Sequence, residues 1–400
     1  MKYIVILCDG MADEPLEILD GKTPIEAACT ENTDRLARDA EIGMVRTVPE
    51  GMAPGSDTAN LSVIGYDPKK YYSGRSPLEA LSIGAEMSDE DVSFRCNLVT
   101  LSEEETDYKD RVIVDHSSGE IPTEEAAELL DALRSGLKRE GYTFYAGTSY
   151  RHLLIWKGGR TMDLTAPHDI LTKRIGDYLP QDEVLRDMMV KSYDILKDHP
   201  INKKRRAEGK NPANSAWFWG AGTRPALTSF EEKNGVKGAM ISAVDLLKGI
   251  AVGARMHNII VEGANGGLHT NYSGKADAAI KALTEDGYDF VYVHIEAPDE
   301  MGHQGSVEDK IKAIEYIDEK IIGPVTEALR NAGTDFRMLV LPDHPTPIRV
   351  RTHTSDPVPY LLYDSTKEVK GVGIYSEKAG RESGRYIDEG HRLMEYFIQS

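Results

Sequence analysis

The sequence predicts an α/β fold in which a doubly wound, largely parallel sheet forms the core and a smaller α+β domain is inserted into it. Short apolar, β-branched runs alternate with longer amphipathic segments, which is typical of parallel α/β folds. Several runs are apolar almost throughout, as expected for strands covered on both faces. The candidate metal-binding residues fall before Ser88 and after Phe230. We therefore expect the intervening stretch to be an insertion.

The core strands are predicted from four apolar runs. These are residues 3–7, 258–261, 290–295 and 338–341. The segment 310–329 is a predicted helix, because isoleucine and valine recur at helical spacing between charged residues. We assign residues 1–87 and 231–400 to the discontinuous core domain.

The inserted domain is predicted to span residues 88–230 and to contain a smaller mixed sheet. Its predicted strands are residues 95–100, 111–114, 143–146 and 151–156, and its predicted helices are 124–140 and 183–196. Candidate metal ligands are absent from this stretch of the sequence, so we expect it to serve the substrate instead.

The overall charge limits the classes of partner. The 400 residues include 47 basic and 66 acidic ones, which gives a formal net charge of -19. A nucleic-acid partner is disfavoured, because phosphate backbones require a basic surface. An anionic small molecule requires basic groups or metal ions concentrated in one cleft.

The cysteines and the apolar segments predict a cytoplasmic protein. Cys8, Cys29 and Cys96 form no CxxC pair and are odd in number, which argues for a reducing compartment. The N-terminal residues lack the pattern of a signal peptide, and no apolar stretch is long enough to cross a bilayer. We expect no membrane partner, and a homo-oligomer stays open.

Four short polar clusters carry the chemistry. They are Cys8-Asp9-Gly10, Gly55-Ser56-Asp57-Thr58-Ala59-Asn60, Asp299-Glu300-Met301-Gly302-His303, and Asp343-His344 followed by His353. Asp9, Asp299 and Asp343 each follow an apolar run closely. Since the carboxyl ends of parallel strands meet at one edge of a sheet, these carboxylates are expected to converge.

The mixture of ligand types favours zinc or manganese over calcium, which prefers oxygen alone. Two such ions about 3.5–4 Å apart can activate a nucleophile and neutralise phosphoryl oxygens. Ser56 follows Pro54-Gly55 and can begin a helix, where backbone donors suit a phosphate. A metal bound to its oxygen would lower the pKa of Ser56, and Asn60 is a candidate donor to a phosphoryl oxygen.

Each cluster alone has a simpler explanation. Ser56 fits a helix N-cap, and Asp343-His344-Pro345 fits a turn. His294 fits a packed strand residue, and Trp217-Phe218-Trp219 fits a local core. The ordered series of all four clusters is what favours a two-metal phosphoryl-transfer site with a serine nucleophile.

The series resembles the archaeal-type, cofactor-independent phosphoglycerate mutases of the alkaline phosphatase superfamily. The resemblance runs from end to end of the chain. It rests on Cys8-Asp9-Gly10, Gly55-Ser56-Asp57-Thr58-Ala59-Asn60, Ala297-Pro298-Asp299-Glu300-Met301-Gly302-His303, Leu341-Pro342-Asp343-His344-Pro345-Thr346-Pro347, Thr352-His353-Thr354, Trp217-Phe218-Trp219-Gly220 and Ile241-Ser242-Ala243-Val244-Asp245-Leu246-Leu247-Lys248-Gly249.

The resemblance implies an alkaline-phosphatase-like sheet and two divalent ions, Mn²⁺, Zn²⁺ or Co²⁺, with no need for 2,3-bisphosphoglycerate. One ion would be held by Asp299, His303 and His353. The other would be held by Asp9, Ser56, Asp343 and His344.

The implied reaction is the conversion of 3-phosphoglycerate to 2-phosphoglycerate through a phosphoserine at Ser56. The insert would act as a lid that excludes water and retains glycerate. The residues proposed to grip the carboxylate or phosphate are Arg95, Arg151, His152, His168 and Lys248.

Three other functions stay open at this point. Some relatives in the superfamily phosphorylate homoserine from ATP, although the sequence contains no GxxxxGK[ST] loop. A metal-dependent phosphomonoesterase would have the same ligands, and a metal-binding protein without turnover is the non-enzymatic alternative.

Overall fold

The structure, a computed structural model, describes residues 1–399. The chain forms two compact units. The first unit contains Met1–Tyr72 and the chain from Leu227 onward, and the second unit is Ser73–Ala226. The first unit is therefore discontinuous in sequence.

The strands of the described residues fall into two sheets. In chain order they are β1 (Lys2–Cys8), β2 (Ala40–Val45), β3 (Val92–Leu101), β4 (Ile113–Asp115), β5 (Tyr142–Tyr145), β6 (Arg151–Trp156), β7 (Ser215–Thr223), β8 (Gly238–Ile241), β9 (His257–Ile259), β10 (Phe290–Ile295), β11 (Phe336–Leu341), β12 (Val358–Asp364) and β13 (Tyr386–Ile387).

The α-helices are distributed along the whole chain. They are α1 (Pro24–Ala27), α2 (Glu31–Ala37), α3 (Ser56–Val63), α4 (Pro68–Tyr71), α5 (Arg75–Ser82), α6 (Thr123–Gly136), α7 (Glu183–Leu196), α8 (Pro200–Ala207), α9 (Phe230–Asn234), α10 (Asp245–Gly253), α11 (Tyr272–Thr284), α12 (Ala297–Gln304), α13 (Val307–Ile317), α14 (Gly323–Asn331), α15 (Glu377–Glu382) and α16 (Leu393–Gln399). Short 3-10 helices are Glu17–Leu19, Tyr108–Asp110, Pro167–Ile170, Ile175–Tyr178 and Gly390–Arg392, and a π-helix, Asp318–Ile322, joins α13 to α14.

The first unit is built on an eight-stranded sheet of order β13-β2-β12-β11-β1-β10-β8-β9. The run from β11 to β9 is parallel, whereas β12 is antiparallel to both β11 and β2. Strand β1 lies in the centre, where Val5 is paired with Tyr292 on one side and with Leu339 on the other. Three neighbouring parallel strands, β11, β1 and β10, consequently end at the same edge.

Both faces of this sheet are covered by helices. The side chains of Ile4, Ile6 and Cys8 belong to one apolar core cluster, which includes residues of α11, α13 and α14. On the opposite face, the ring of Tyr3 packs edge to face against Phe397 of α16 at a centroid distance of 5.7 Å. The predicted doubly wound α/β core is thus confirmed.

The second unit contains a five-stranded sheet in which all pairings are antiparallel. Its central strand β3 is flanked by β6 and β7, and helices α6 and α7 contribute leucines and methionines to the core on one face. The expected small sheet is present, but it is antiparallel rather than mixed.

The second unit begins at Ser73 and ends at Ala226, whereas the sequence analysis placed its bounds at 88 and 230. The difference arises from α5, which belongs to this unit. The Oγ of Ser76, in α5, donates to the carbonyl oxygen of Gly220 at 2.6 Å and lies 2.9 Å from Ser93 Oγ. The sequence of an amphipathic helix next to a domain boundary does not show which of the two sheets the helix covers.

Most of the predicted elements agree with the structure. The strands at 290–295 and 151–156 and the helix at 183–196 have the predicted bounds. The predicted helix 310–329 corresponds to α13, the π-helix and α14 in direct succession. Strands β2, β7, β8, β12 and β13 were not predicted. Within the described part of the chain, every helix is too short or too polar to span a lipid bilayer.

A buried lysine connects the loops that follow β1 and β11. The ammonium group of Lys310, in α13, is fully buried and donates to Asp13 Oδ2 at 2.8 Å. It also donates to the carbonyl oxygens of Thr346 at 2.9 Å and Ala12 at 3.3 Å. Lys310 therefore fixes two loops that are distant in sequence at the carboxyl edge of the sheet.

Replacing this lysine tests its structural role. Lys310→Met leaves the Asp13 carboxylate buried without its cation, so we expect the free energy of unfolding to fall by about 3–5 kcal/mol. Urea denaturation followed by circular dichroism measures this change. The control is Lys312→Met in the same helix, where the side chain is exposed and the expected change is within about 0.5 kcal/mol. If the two variants were equally stable, the inference that Lys310 fixes the two loops would be wrong.

Candidate metal centre and active site

The carboxyl edge of the large sheet collects acidic side chains from three adjacent strands. Asp9 directly follows β1, and Asp343 lies two residues beyond β11. Helix α12 begins just after β10 and carries Asp299 and His303 one turn apart, so both side chains lie on one face of the helix. The parallel order β11-β1-β10 therefore brings these groups to one place.

The loops at this edge approach each other closely at Gly10. This residue has a φ of +61°, and a Cβ atom there would lie 2.5 Å from Asp299 Oδ1 and from Thr346 Oγ1. Both the backbone conformation and the available space therefore require glycine. The backbone N–H of Gly10 donates to Asp343 Oδ1 at 3.2 Å, which links the ends of β1 and β11.

Ser56 is the first residue of α3, so its hydroxyl lies at the positive end of a helix. Its Oγ atom is 3.1 Å from Nε2 of His344. The helix begins here because Gly55 precedes it as the N-cap residue. A serine in this position combines a candidate nucleophile with the backbone donors of the first helical turn.

One group of candidate ligands consists of Asp9, Asp343 and His344. Their ligand atoms all lie within 4.8 Å of one another. The Nε2 atom of His344 is 3.6 Å from Asp9 Oδ1 and 3.4 Å from Asp343 Oδ2. All three side chains are buried.

A second group consists of Asp299, His303 and His353. The Nε2 atom of His303 is 3.1 Å from Asp299 Oδ2 and 3.1 Å from Nε2 of His353, which in turn is 3.4 Å from Asp299 Oδ1. The Nδ1 atom of His303 is 3.0 Å from the carbonyl oxygen of Arg351, which orients the ring. The two groups meet at His344, whose ring centroid is 4.1 Å from that of His353.

The electrostatics of the site show a deficit of positive charge. Burial raises the pKa of Asp9 well above its usual range, and the nearby carboxylates of Asp343 and Asp299 raise it further. Burial also opposes ionisation of Asp299, but hydrogen bonds with His303 and His353 outweigh it and lower its pKa. The hydrogen bond with Asp299 raises the pKa of His303 to about 9. The ionised form is thus favoured at Asp299, which two imidazoles face, and disfavoured at Asp9.

The residues of this site fit divalent metal ions. Asp9 Oδ1 is buried and has no hydrogen-bond partner, which is an unfavourable state for a carboxylate oxygen unless a cation binds it. Each group combines carboxylate with imidazole, the donor set that suits zinc, manganese or cobalt. The unsatisfied oxygen and the donor set therefore point to the same kind of ligand.

The second unit contains a separate cluster of cationic and aromatic side chains. The guanidinium carbon of Arg95 lies 4.4 Å from the ring centroid of Trp219, and that of Arg151 lies 4.3 Å from the ring of Tyr150. The ring of His168 is 5.3 Å from that of Trp219. Burial lowers the pKa of Arg95; Glu79 opposes this change, and the positive charges of Arg75 and Arg151 add to it. This concentration of cations contrasts with the negative charge of the whole chain.

The chain is similar over its whole length to members of a defined family. A model of the family "2,3-bisphosphoglycerate-independent phosphoglycerate mutase" matches residues 37–202. The chain is 48% identical to a probable enzyme of that description from Geobacter sulfurreducens, over 100% of both chains. It is 46% identical to the one from Methanothrix thermoacetophila, again over 100% of both. The chain belongs to this family.

The fold agrees with this membership. The structure of a cofactor-independent phosphoglycerate mutase from Thermoplasma acidophilum matches with a TM-score of 0.67 and 30% identity, covering 100% of this chain and 99% of the other. The mutase family thus accounts for both units of the chain, including the inserted one.

All of the candidate metal ligands named from the sequence lie together in the first unit. They are Asp9, Ser56, Asp299, His303, Asp343, His344 and His353. One detail differs from the expected division into two sets, because His344 lies within ligand distance of Asp299 and His353 as well as of Asp9 and Asp343. Their roles as ligands remain a proposal for this chain.

Asn60 lies in the site, but its amide has no donor left for a phosphoryl oxygen. Its Nδ2 atom donates to the carbonyl oxygen of Ser56 and to Asp343 Oδ2, both at 2.8 Å. Its Oδ1 atom accepts from the hydroxyl of Tyr292 at 2.7 Å. In this arrangement the buried amide uses both N–H groups to hold Asp343 and the carbonyl oxygen of Ser56.

Two further residues expected to bind substrate are placed elsewhere. His152 is buried on β6, and burial lowers its pKa to about 4, so it is neutral and cannot supply a positive charge. Lys248 lies on α10 in the first unit, with its Nζ 3.2 Å from Asp245 Oδ1 of the same helix. By contrast, Arg95 and Arg151 belong to the cationic cluster of the second unit, where Arg95 is buried with its Nε 3.0 Å from Glu79 Oε2. His168 lies beside Trp219, and burial lowers its pKa.

The sequence analysis missed several polar residues that support the site. His294 is a packed strand residue, as expected, but its Nε2 is also 2.9 Å from Asp9 Oδ2. Thr346 donates a short hydrogen bond to Asp299. The available signal was weak: Tyr292 and His294 are alternate residues in an otherwise apolar strand that ends beside the Asp299 motif.

Because the site lacks positive charge, replacing Asp9 is expected to stabilise the metal-free protein but to reduce the stabilisation that metal binding provides. At neutral pH an ionised Asp9 destabilises the metal-free fold, because the folded-state pKa lies above the unfolded one. Asp9→Asn is therefore expected to raise the Tm of metal-free protein by about 2 °C or more. Mn²⁺ at about 100 times its Kd should stabilise the unchanged protein by about 2.7 kcal/mol and the variant much less.

Thermal unfolding with a chelator and then with Mn²⁺ measures both effects. The control variant is Asp277→Asn, because Asp277 is an exposed acidic residue on α11. This control should respond to Mn²⁺ as the unchanged protein does. A lower Tm of metal-free Asp9→Asn would contradict the proposed repulsion among the carboxylates.

Proposed function

We propose that this chain interconverts 3-phosphoglycerate and 2-phosphoglycerate without 2,3-bisphosphoglycerate, using Ser56 as the phosphoryl acceptor. The observation that carries the proposal is the position of Ser56. Its hydroxyl lies at the start of α3, within 3.1 Å of His344, beside two carboxylate and imidazole groups. Membership of the mutase family supports the same reaction.

The proposed chemistry consists of two phosphoryl transfers. In the first, a bond forms between Ser56 Oγ and phosphorus while the bond from phosphorus to the C3 oxygen of the substrate breaks. The serine proton is transferred to the departing glycerate oxygen. In the second, the C2 hydroxyl of the retained glycerate attacks the phosphoserine, and its proton returns to Ser56. The net reaction is an isomerisation.

Two divalent cations are part of this proposal, with Mn²⁺, Zn²⁺ and Co²⁺ as the candidates. Asp299, His303 and His353 would hold one ion. The second set would be Asp9, Asp343, His344 and the oxygen of Ser56. When bound, such ions neutralise phosphoryl charge and lower the pKa of the serine hydroxyl.

We further propose that the second unit recognises the carboxylate of the substrate through Arg95, Arg151 and His168. A planar guanidinium suits a carboxylate because it can form two parallel hydrogen bonds. Trp219 and Tyr150 fix the two guanidinium groups from one side, which reduces the side-chain entropy lost on binding. The same unit would act as the lid that protects the phosphoserine from water.

The proposed compartment is the cytoplasm, in line with three free cysteines, Cys8, Cys29 and Cys96. The proposed substrate is a small phosphorylated carboxylate.

The central test replaces Ser56. Ser56→Ala should reduce mutase activity below about 10⁻³ of the original while two metal ions remain bound, because the nucleophile is lost and most ligands stay. The assay incubates metal-loaded protein with 3-phosphoglycerate, without ATP, and follows 2-phosphoglycerate and free phosphate together. Ser62→Ala in the same helix is the control, since the buried Ser62 hydroxyl has no hydrogen-bond partner.

The products of this assay separate the alternatives. Formation of 2-phosphoglycerate supports the mutase, whereas free phosphate alone would identify a phosphomonoesterase. A reaction that starts only when ATP and homoserine are supplied would identify the kinase. An absolute requirement for 2,3-bisphosphoglycerate, or substantial mutase activity in Ser56→Ala, would refute the proposal.

The carboxylate site of the second unit is tested by Arg95→Lys. Lysine keeps the charge but loses the paired hydrogen bonds, each worth about 1.5–3 kcal/mol with a charged partner, so we expect KM for 3-phosphoglycerate to rise about 10-fold or more. The effect on kcat should be smaller. Steady-state kinetics measure both, with Arg186→Lys on the exposed side of α7 as control. An unchanged KM would remove Arg95 from the substrate site.

A further inference from the structure

Strand β10 carries two polar side chains in an otherwise apolar sequence. Tyr292 and His294 alternate with valine and isoleucine, so both lie on one face of the sheet. Both are fully buried. A buried polar residue is costly unless its hydrogen bonds are satisfied, and here each one reaches a different part of the candidate metal centre.

His294 is the middle of a directed chain of hydrogen bonds. The backbone N–H of Val244 donates to Ser242 Oγ at 3.0 Å, and Ser242 Oγ is 3.1 Å from His294 Nδ1. An ionised Asp9 carboxylate can only accept, so Nε2 of His294 donates to Asp9 Oδ2 at 2.9 Å. In the neutral ring Nδ1 then carries no proton and accepts from the Ser242 hydroxyl.

This chain fixes the orientation of the Asp9 carboxylate. One oxygen, Oδ2, is held by His294, and the other, Oδ1, is the buried atom without a hydrogen-bond partner. Oδ1 lies on the side of His344, 3.6 Å from its Nε2. The strand therefore presents one defined oxygen of Asp9 to the Asp9, Asp343 and His344 group.

Tyr292 acts on the other carboxylate of the same group through Asn60. Its hydroxyl donates to Asn60 Oδ1 at 2.7 Å and so holds the amide in the orientation that its acceptor-only partners require. The Nδ2 end then points to Asp343 Oδ2 and to the carbonyl oxygen of Ser56, each at 2.8 Å. One amide thus ties Asp343 to the first turn of α3.

We infer that Tyr292 and His294 are positioning residues that preorganise the Asp9, Asp343 and His344 group for a divalent cation. The inference rests on the proposed metal-dependent function and adds to it residues that contact neither metal nor substrate. Outer hydrogen bonds of this kind typically change metal affinity by about 10–100-fold when they are removed. The Asp299, His303 and His353 group has its own support from Thr346 and Arg351.

Because the two ligand groups have different supporting residues, a change at Tyr292 or His294 is expected to lower the Mn²⁺ affinity of only one site. Tyr292→Phe keeps the ring packing but frees the Asn60 amide, so it should weaken one of two Mn²⁺ sites by about 10–100-fold. The other site should change less than about twofold. His294→Leu should have the same selective effect, and His294→Gln, which keeps an N–H donor, should recover part of the affinity.

The experiment is calorimetric titration of metal-stripped full-length protein with Mn²⁺ alone, without substrate. The matched control is Tyr375→Phe, which removes the hydroxyl of another buried tyrosine of the same unit, one that donates to the carbonyl oxygen of Pro359 at 2.9 Å. It should leave both sites unchanged. The metal-free Tm of each variant reports general destabilisation, and at saturating Mn²⁺ the KM of Tyr292→Phe for 3-phosphoglycerate should equal that of the unchanged protein.

The outcomes separate this inference from the proposed function. If the unchanged protein binds two ions and Tyr292→Phe binds them with equal affinity, the positioning role is refuted and the metal centre stands. Equal weakening of both sites together with a lower Tm would also refute it, because that pattern indicates a general structural role. If the unchanged protein binds no Mn²⁺, the two-metal function itself fails.

Discussion

The structure depends on the mutual repulsion of buried carboxylates at one edge of a sheet. Asp9 and Asp343 meet at His344. The negative charges of Asp343 and Asp299 raise the pKa of Asp9. Fold and function oppose each other at this point. Close approach of like charges in a poorly solvated place disfavours folding, whereas a cation bound between them would offset the repulsion. The surrounding residues are best understood as means of holding these carboxylates together.

Two buried lysines show how the protein stabilises this edge. Lys310 binds Asp13 and the carbonyl oxygens of Ala12 and Thr346, just outside the cluster. Lys275 donates to the carbonyl oxygen of His294 at 2.8 Å, and its burial lowers its pKa to about 8. Both ammonium groups anchor backbone around the site. The carboxylates themselves are left for a different cation.

How much could be predicted from sequence depended on whether the deciding interaction is local. The strand at 290–295 and the acidic residues after the strand ends follow from apolar periodicity and from the geometry of parallel sheets, so the sequence was sufficient there. The residues whose surroundings differ from the expectation have partners distant in sequence. Asn60 has the donors expected of a phosphate ligand, but Asp343, 283 residues away, uses one of them.

For other residues, burial in the folded chain decides whether the side chain is charged and which partner it contacts. His152 alternates in a strand just as Arg151 does, and only the packing of the second unit shows that one is buried and neutral and the other exposed. The bond between His294 and Asp9 joins residues 285 apart. A sequence gives the chemical type of such residues, whereas their ionisation and their free donors are properties of the assembled fold.

The central position of β1 also has a consequence for the order of biosynthesis. Strand β1 is translated before the other described strands, and it pairs with β10 and β11, which begin at Phe290 and Phe336. Until most of the chain has been translated, an apolar strand with two unpaired edges has to remain unaggregated, and contacts of such long sequence separation form slowly. The second unit, whose residues are contiguous, can fold during that interval. Translation therefore completes the second unit before the large sheet of the first unit can close.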